Sequence, residues 1–404
     1  MDTFRAKALK LDAADPLALF RERFVLDEVL YLDGNSLGRL PKATVVRMRE
    51  VVEEGWGAGL IAGWNADWLA MPQRIGAKIA RLVGAEEDEV VVCDSTSVDF
   101  YKLAHACVSA TERRVVVTNS ANFPSDLYLL QGLGAEIRVV DSERDADMAA
   151  AVDGETALLT LSHVEFKSGL RHDLGFLTER AHAVGARVLY DLSHSVGAVE
   201  IDLGEADLAV GCAYKYLNGG PGAPAFLYVR RDLQDSLRSP IQGWFGARHA
   251  FRFGLDYAPA SGIDRFLAGT PPILSMAAAE PGVELMLEAE MERIAAKGAM
   301  QTSFLIEMAD SHLAPLGFET ITPREPARRG SHVALRHPEA WRINQALIGE
   351  MAVVPDFRSP DVLRLGIAPL YTRYVDLAEA VARIARVVEE RSYLAYSSEQ
   401  PAVT

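Results

Sequence analysis

Positive charge is in short supply in this chain. Lysine and arginine number 41 against 56 aspartates and glutamates, a formal net charge of −15. That balance argues against nucleic acid or an anionic membrane as the main partner, since both recruit clustered cations. Cysteine is scarce too. Cys93, Cys107 and Cys212 form an odd set without metal-ligand spacing, so no metal is expected. They fit free thiols in a reducing cytoplasm. No apolar run approaches the roughly 18 residues that a membrane helix needs. The opening stretch MDTFRAKALKLDAADPLALF mixes both charge signs and lacks the apolar core of a signal peptide. The early glycine fingerprint of a dinucleotide-binding fold is missing, which disfavours a nicotinamide-dependent oxidoreductase.

What is present is a chain of 404 residues, 49% hydrophobic, long enough for two packed units. Strand candidates run through its middle: VVVC (90–93), RVVVT (114–118), EIRVV (136–140), ALLTLSHV (157–164), RVLYDLSH (187–194), LAVGCAY (208–214) and AFLYV (225–229). Several are continuous apolar runs, as in strands buried on both faces of a parallel sheet. Helical stretches such as 174–185 alternate with them, so the fold class expected is α/β, with a large, doubly wound, mainly parallel sheet. The end differs. One long helical stretch is read over 275–297, with Pro281 as a kink or a displaced start. Strand HVALR (332–336), helix 342–351, strand VLRLGIA (362–368) and a last helix over 375–391 then make a smaller α+β unit. The expected division is a large domain over 51–275, a small one over 276–404, and an N-terminal segment, 1–50, associated with the small domain.

Lysine itself occurs only eight times, and one occurrence is odd. In CAYKYLNGGPG (212–222), Lys215 follows a buried run, where its charge is costly to desolvate. Ligand sites of open α/β sheets lie at the carboxyl ends of the strands. There this sequence places CDSTSVD (93–99), whose hydroxyls open a helix and suit a phosphate, then NFPSD (122–126), Ser162, Asp191 and His194, and Lys215. Each has a plain structural reading: Asp191 as a helix cap, His194 as a hydrogen-bonded core residue, STS as a cap. Together they are more specific. An acid, a histidine three residues on and a lysine 24 residues after the acid are what pyridoxal phosphate requires on such a sheet. The acid keeps the pyridinium nitrogen protonated, and the lysine holds the cofactor covalently.

On these residues the chain resembles the fold-type-I pyridoxal phosphate enzymes, and among them the kynureninase family. YLDGNSLG, GWNADW, NFPSDLY, DLSHSVGAVEIDL, YKYLNGGPG, QGWFG, GTPPIL and LRLGIAPLY all read like that family, in order along nearly the whole chain. The resemblance implies that Lys215 carries the cofactor, Asp191 holds its ring nitrogen and His194 lies beside the ring. It puts Thr96, Ser97 and Tyr214 around the phosphate and the ring's edge. Phe123 stacks on the ring, with Asp126 and Ser162 nearby. Trp244 and Thr270 reach a phosphate in the neighbouring subunit of a homodimer. Arg364 clamps the substrate carboxylate, with Asn35 and Ser36 on the substrate side, and Trp64 and Gly269 border the aryl pocket. Adjacent strand residues face opposite sides, so Tyr214 and Lys215 both reach the cofactor only if the strand has already ended.

The activity implied is hydrolysis of L-kynurenine to anthranilate and L-alanine, as in tryptophan degradation, with Tyr214 relaying protons and kynurenine preferred over 3-hydroxykynurenine. The alternatives within the fold type are a cysteine desulfurase or an aminotransferase. A desulfurase needs a nucleophilic cysteine on a mobile loop, and no cysteine follows residue 212. A second class is a catalytically idle binding protein that uses the cofactor as a sensor; no DNA-binding segment is visible, and the acidic charge counts against one.

Overall fold

The structure, a computed structural model, describes residues 1–399. Seven strands form the central sheet: β1 (Val90–Cys93), β2 (Val115–Asn119), β3 (Glu136–Val140), β4 (Thr156–Ser162), β5 (Arg187–Asp191), β6 (Leu208–Cys212) and β7 (Ala225–Val229). Their spatial order is β1-β7-β6-β5-β4-β2-β3. Only β7 runs antiparallel to its neighbours, and the rest of the sheet is parallel. Every residue of β1, β2, β4, β6 and β7 is buried, the condition that continuous apolar runs serve. Alternate residues enter two separate cores. Val91, Val116, Leu158, Leu189 and Val210 lie on one face, and Val92, Val117, Leu159, Val188 and Ala209 on the other, as the period of two requires.

The smaller unit holds a four-stranded antiparallel sheet, β8 (Glu319–Thr320), β9 (His332–Arg336), β10 (Asp356–Arg358) and β11 (Val362–Gly366), in the order β10-β11-β9-β8. Helices Ala340–Glu350 and Tyr374–Glu389 complete its core.

The long helix expected over 275–297 is two helices, Ile273–Ala289 and Met291–Met308. Glu290 separates them with φ 65°, a left-handed conformation that its residue type does not announce. Pro281 neither starts nor divides the first helix. Burial of Met276, Ala277, Val283 and Met286 in the large-sheet core offsets the hydrogen bond that Pro281 removes. Ile294, near the start of the second helix, still belongs to the large-sheet core, and the small core draws on Phe304, Leu305 and Met308 farther along it, so this helix passes from one core to the other. The N-terminal segment spans both units. Helix Asp2–Ala13 lies against Tyr374–Glu389, and Leu30–Tyr31 pairs in parallel with Val353–Val354. Helix Lys42–Glu50 lies against Ile273–Ala289 of the large unit. Among the described residues no helix is long and apolar enough to cross a membrane.

Candidate active site

β6 ends at Cys212, two residues short of the Tyr214 read from the sequence. A tight turn follows, closed by Asn218 N–H to the Lys215 carbonyl (2.9 Å) and Gly219 N–H to the Ala213 carbonyl (2.8 Å). Tyr214 and Lys215 therefore lie past the pleat, and strand alternation no longer sends them to opposite faces. Three lysines are buried: Lys102, Lys215 and Lys297. Lys102 sits 2.7 Å from both Asp94 and Asp99, and Lys297 2.6 Å from Asp15. Lys215 has no carboxylate oxygen within 4.0 Å among the described residues. Its Nζ lies instead 2.9 Å from His194 Nε2, and 5.9 Å and 5.7 Å from the ring centres of Phe123 and Tyr214. Burial, and then the charge of Lys215, hold the His194 imidazole well below its ordinary pKa. It is neutral, and Nε2 accepts from the lysine.

Asp191 ends β5, opposite Ser162 at the end of β4. His194 lies three residues beyond that strand end, in the following turn. The Ser193 N–H donates to Asp191 Oδ1 at 2.8 Å. Burial pushes the Asp191 carboxyl up, and the charge of Lys215 pulls it back. Asp126, in the first turn of helix Pro124–Gln131, is pushed well up by burial and then by the charge of Asp191. Its Oδ2 has no partner. Two desolvated carboxyls, one with a free oxygen, fit a cation that brings its own N–H donor, as a protonated pyridine ring does. Phe123 is 38% exposed, which leaves part of its ring free for stacking. Phe166 supports its other side at 5.3 Å. Thr96 and Ser97 open the 14-residue helix Thr96–Ser109, Thr96 half-buried and Ser97 exposed, where free N–H groups suit a phosphate. These features accommodate pyridoxal phosphate.

Asn122, to which the sequence reading gave no role of its own, fastens this arrangement. Its Oδ1 accepts from the Ser162 hydroxyl (2.7 Å), the Ser162 N–H (3.0 Å) and the Phe123 N–H (2.9 Å). Cys93, Asp94 and Asp99 form a cluster with metal-ligand geometry, but the Lys102 ammonium already serves as its cation.

The residues expected on the substrate side lie on β11 and in the loop 33–38, beside β10. Arg364 is fully buried. It pairs with Asp356, donates to the Phe166 carbonyl, and lies 3.1 Å from Ser36 Oγ. With its amide turned to satisfy both groups, Asn35 Oδ1 accepts from Arg364 Nε at 2.7 Å. Arg358 Nη2 lies 3.0 Å from the same Asp356 carboxylate. Burial, and then the charge of Asp356, push the Asp33 carboxyl up to about 7. Two guanidiniums, Arg358 and Arg364, share the Asp356 carboxylate. Asp33, Asp356 and Arg358 escaped the sequence reading.

Gly38 locks the two halves together. Its N–H donates to the Tyr214 carbonyl at 2.8 Å. A Cβ there would stand closer than 3.0 Å to the Lys215 carbonyl and to Asn218. Gly38→Ala is expected to lower stability by about 1–3 kcal/mol, the usual cost of overpacking, and to weaken cofactor retention. Thermal unfolding and the visible cofactor band of the purified variant read both effects. Wild-type values for both would show that the loop does not support the lysine turn.

Other expected site residues stand apart in the single chain. Trp64 is half-buried, with ring centres 5.6 Å from Trp68 and 6.2 Å from Phe245. Trp244 stacks edge-on to Phe245 at 5.0 Å. Gly269 and Thr270 are exposed. None of the four forms a hydrogen bond or ring pair with Lys215, His194 or Phe123.

A family profile described as the kynureninase C-terminal domain matches residues 294–384. A kynureninase from Pseudomonas fluorescens is 42% identical over 406 residues, covering 97% of both chains. Among solved structures, an apo cysteine desulfurase from Thermococcus onnurineus NA1 superposes with a TM-score of 0.79 at 19% identity, over 92% of this chain and 98% of that one. A C-DES mutant with glycine covalently linked to its PLP cofactor gives 0.78 at 17% identity, over 90% and 98%. The solved structures establish the fold-type-I architecture, and the full-length relative carries the finer assignment.

Proposed function

This chain belongs to the kynureninase family, and from that premise we propose which of its residues carry out the hydrolysis of L-kynurenine to anthranilate and L-alanine. The protein is a pyridoxal-phosphate-dependent hydrolase acting on a carbon–carbon bond. One observation carries the residue assignment: Lys215 is the buried lysine with no carboxylate partner, resting on a neutral histidine.

When bound, pyridoxal phosphate supplies an electron sink in conjugation with the substrate's α-carbon. Lys215 would hold it through Nζ, and Asp191 and Asp126 would hold its ring nitrogen charged. Phe123 would cover the ring, and Thr96, Ser97 and the Thr96–Ser109 helix N-terminus would bind the phosphate. Once the substrate amine has replaced it, Lys215 Nζ is free to take the proton from Cα. His194 Nε2, 2.9 Å away, keeps that amine oriented. Tyr214 exchanges protons as the γ-carbonyl is hydrated and Cβ leaves. Burial raises its phenol pKa and keeps it a proton donor at neutral pH. Arg364, with Asn35 and Ser36, receives the α-carboxylate in the fork geometry that a guanidinium offers. Mixing purified holoprotein with L-kynurenine should release fluorescent anthranilate. Turnover of cysteine instead would favour a desulfurase, but all three cysteines are buried, and burial pushes the Cys107 thiol up to about 12.

Kynurenine should be preferred over 3-hydroxykynurenine. Trp64 would present an apolar wall backed by Trp68 and Phe245, and Gly269 has no side chain to meet a ring hydroxyl. An unmet buried polar group costs about 1–3 kcal/mol, so the specificity-constant ratio should favour kynurenine by roughly 5–150-fold. A ratio at or below one would refute this pocket, and Trp64→His should shift the ratio toward the hydroxylated substrate. A homodimer in the cytoplasm fits the same reading, with Trp244 and Thr270 reaching the neighbour's phosphate. Support comes from the exposed Phe251 and Phe253 beside Trp244 and from the exposure of Thr270.

A further inference from the structure

His332 opens β9, and no sequence motif singled it out. It is fully buried, yet neither ring nitrogen has a hydrogen-bond partner. Buried imidazoles ordinarily find partners for both. Its position is fixed from both domains. Tyr216, the residue after Lys215, donates its hydroxyl to the Ser331 carbonyl at 3.1 Å. The Ser331 hydroxyl donates to the Ile367 carbonyl at 2.7 Å. His332 itself pairs with Gly366, two residues beyond Arg364. Its ring stands edge-on to His194 with centres 5.9 Å apart. On another side, a Cβ at Gly169 would approach Nε2 to 3.1 Å. Burial, then the charges of Arg364 and Lys215, keep the imidazole neutral. The ring thus adjoins both the histidine that orients Lys215 and the strand that carries Arg364. Those groups are assigned above to the amine and carboxylate ends of one amino acid. A neutral imidazole offers an N–H to an anion without adding charge to a cluster that already holds two guanidiniums.

We propose that His332 is a substrate-binding residue, donating a ring N–H to the α-carboxylate of the bound amino acid alongside Arg364. The inference rests on the function proposed above. The variants are His332→Leu, close in volume but without a donor, and His332→Gln, which retains one. Calorimetric titration of each holoprotein uses L-alanine, which has only the amino-acid end, and 2-aminoacetophenone, which has only the aryl ketone end. Loss of one hydrogen bond to a charged group predicts roughly 10-fold or more weaker alanine binding in His332→Leu. His332→Gln should recover most of it, the KM for kynurenine should follow alanine, and aryl ketone binding should not change. Unchanged alanine binding in His332→Leu, or equal weakening of both ligands, would overturn the proposal. A wild-type protein that binds alanine but leaves kynurenine intact would refute the functional reading instead, independently of His332.

Discussion

Lys215→Ala is expected to fold as the wild type does and to lose turnover by about 10⁴-fold or more, since it removes both the covalent anchor and a proton-transfer group, the latter alone typically worth 10²–10⁴. Its fold should survive because the lysine forms no ion pair within 4.0 Å among the described residues, and its one hydrogen bond is to a neutral imidazole. Lys102→Ala should behave in the opposite way. Lys102 joins Asp94, Asp99 and the Phe266 carbonyl, so its loss leaves the buried Asp99 carboxyl without its cation and costs stability. The measurement is anthranilate release beside a thermal unfolding curve for each variant. Wild-type turnover in Lys215→Ala would remove this lysine from the chemistry.

The second large effect is expected at Asp191. Asp191→Asn keeps the shape and can still accept the Ser193 N–H, so the turn after β5 should hold. An amide cannot keep a ring nitrogen protonated by charge. Loss of one such preorganised electrostatic group costs roughly 10²–10³ in kcat, and that is the fall expected, with cofactor still bound. The visible spectrum reports retention and single-turnover kinetics report the chemical step. Full activity would make Asp191 a turn-forming residue only. Asp126, which burial and the charge of Asp191 push up, should become easier to ionise in this variant, because the neighbouring charge is gone.

How far the sequence revealed these features depended on how local their causes were. VVVC, EIRVV, AFLYV and HVALR coincide end to end with observed strands. The first and third are apolar throughout because a packed core covers each face of the sheet. The ends of β5 and β6, read to His194 and Tyr214, stop at Asp191 and Cys212, because the residues beyond them enter turns set by Ser193 and Asn218. Glu290 breaks a helix without a glycine or proline to mark it. Lys215, Asp191, His194 and Ser162 were legible because strand ends converge on one edge of an open sheet. The carboxylate cluster was not. Ser36 and Asp356 stand 320 positions apart and meet through tertiary packing alone. His332 was hidden likewise, as its ring neighbours His194 and Gly169 lie across the domain boundary. Trp64, Trp244, Gly269 and Thr270 were named from family likeness, and the proposed neighbouring subunit would complete their surroundings.

The central claim is that Lys215 holds the cofactor, and covalent trapping tests it most directly. Borohydride reduction of the native holoprotein, followed by peptide mapping, should leave the pyridoxyl label on the peptide containing CAYKYLNGGPG, at Lys215. Label on Lys102, Lys167 or Lys297, with Lys215 unmodified, would contradict the account.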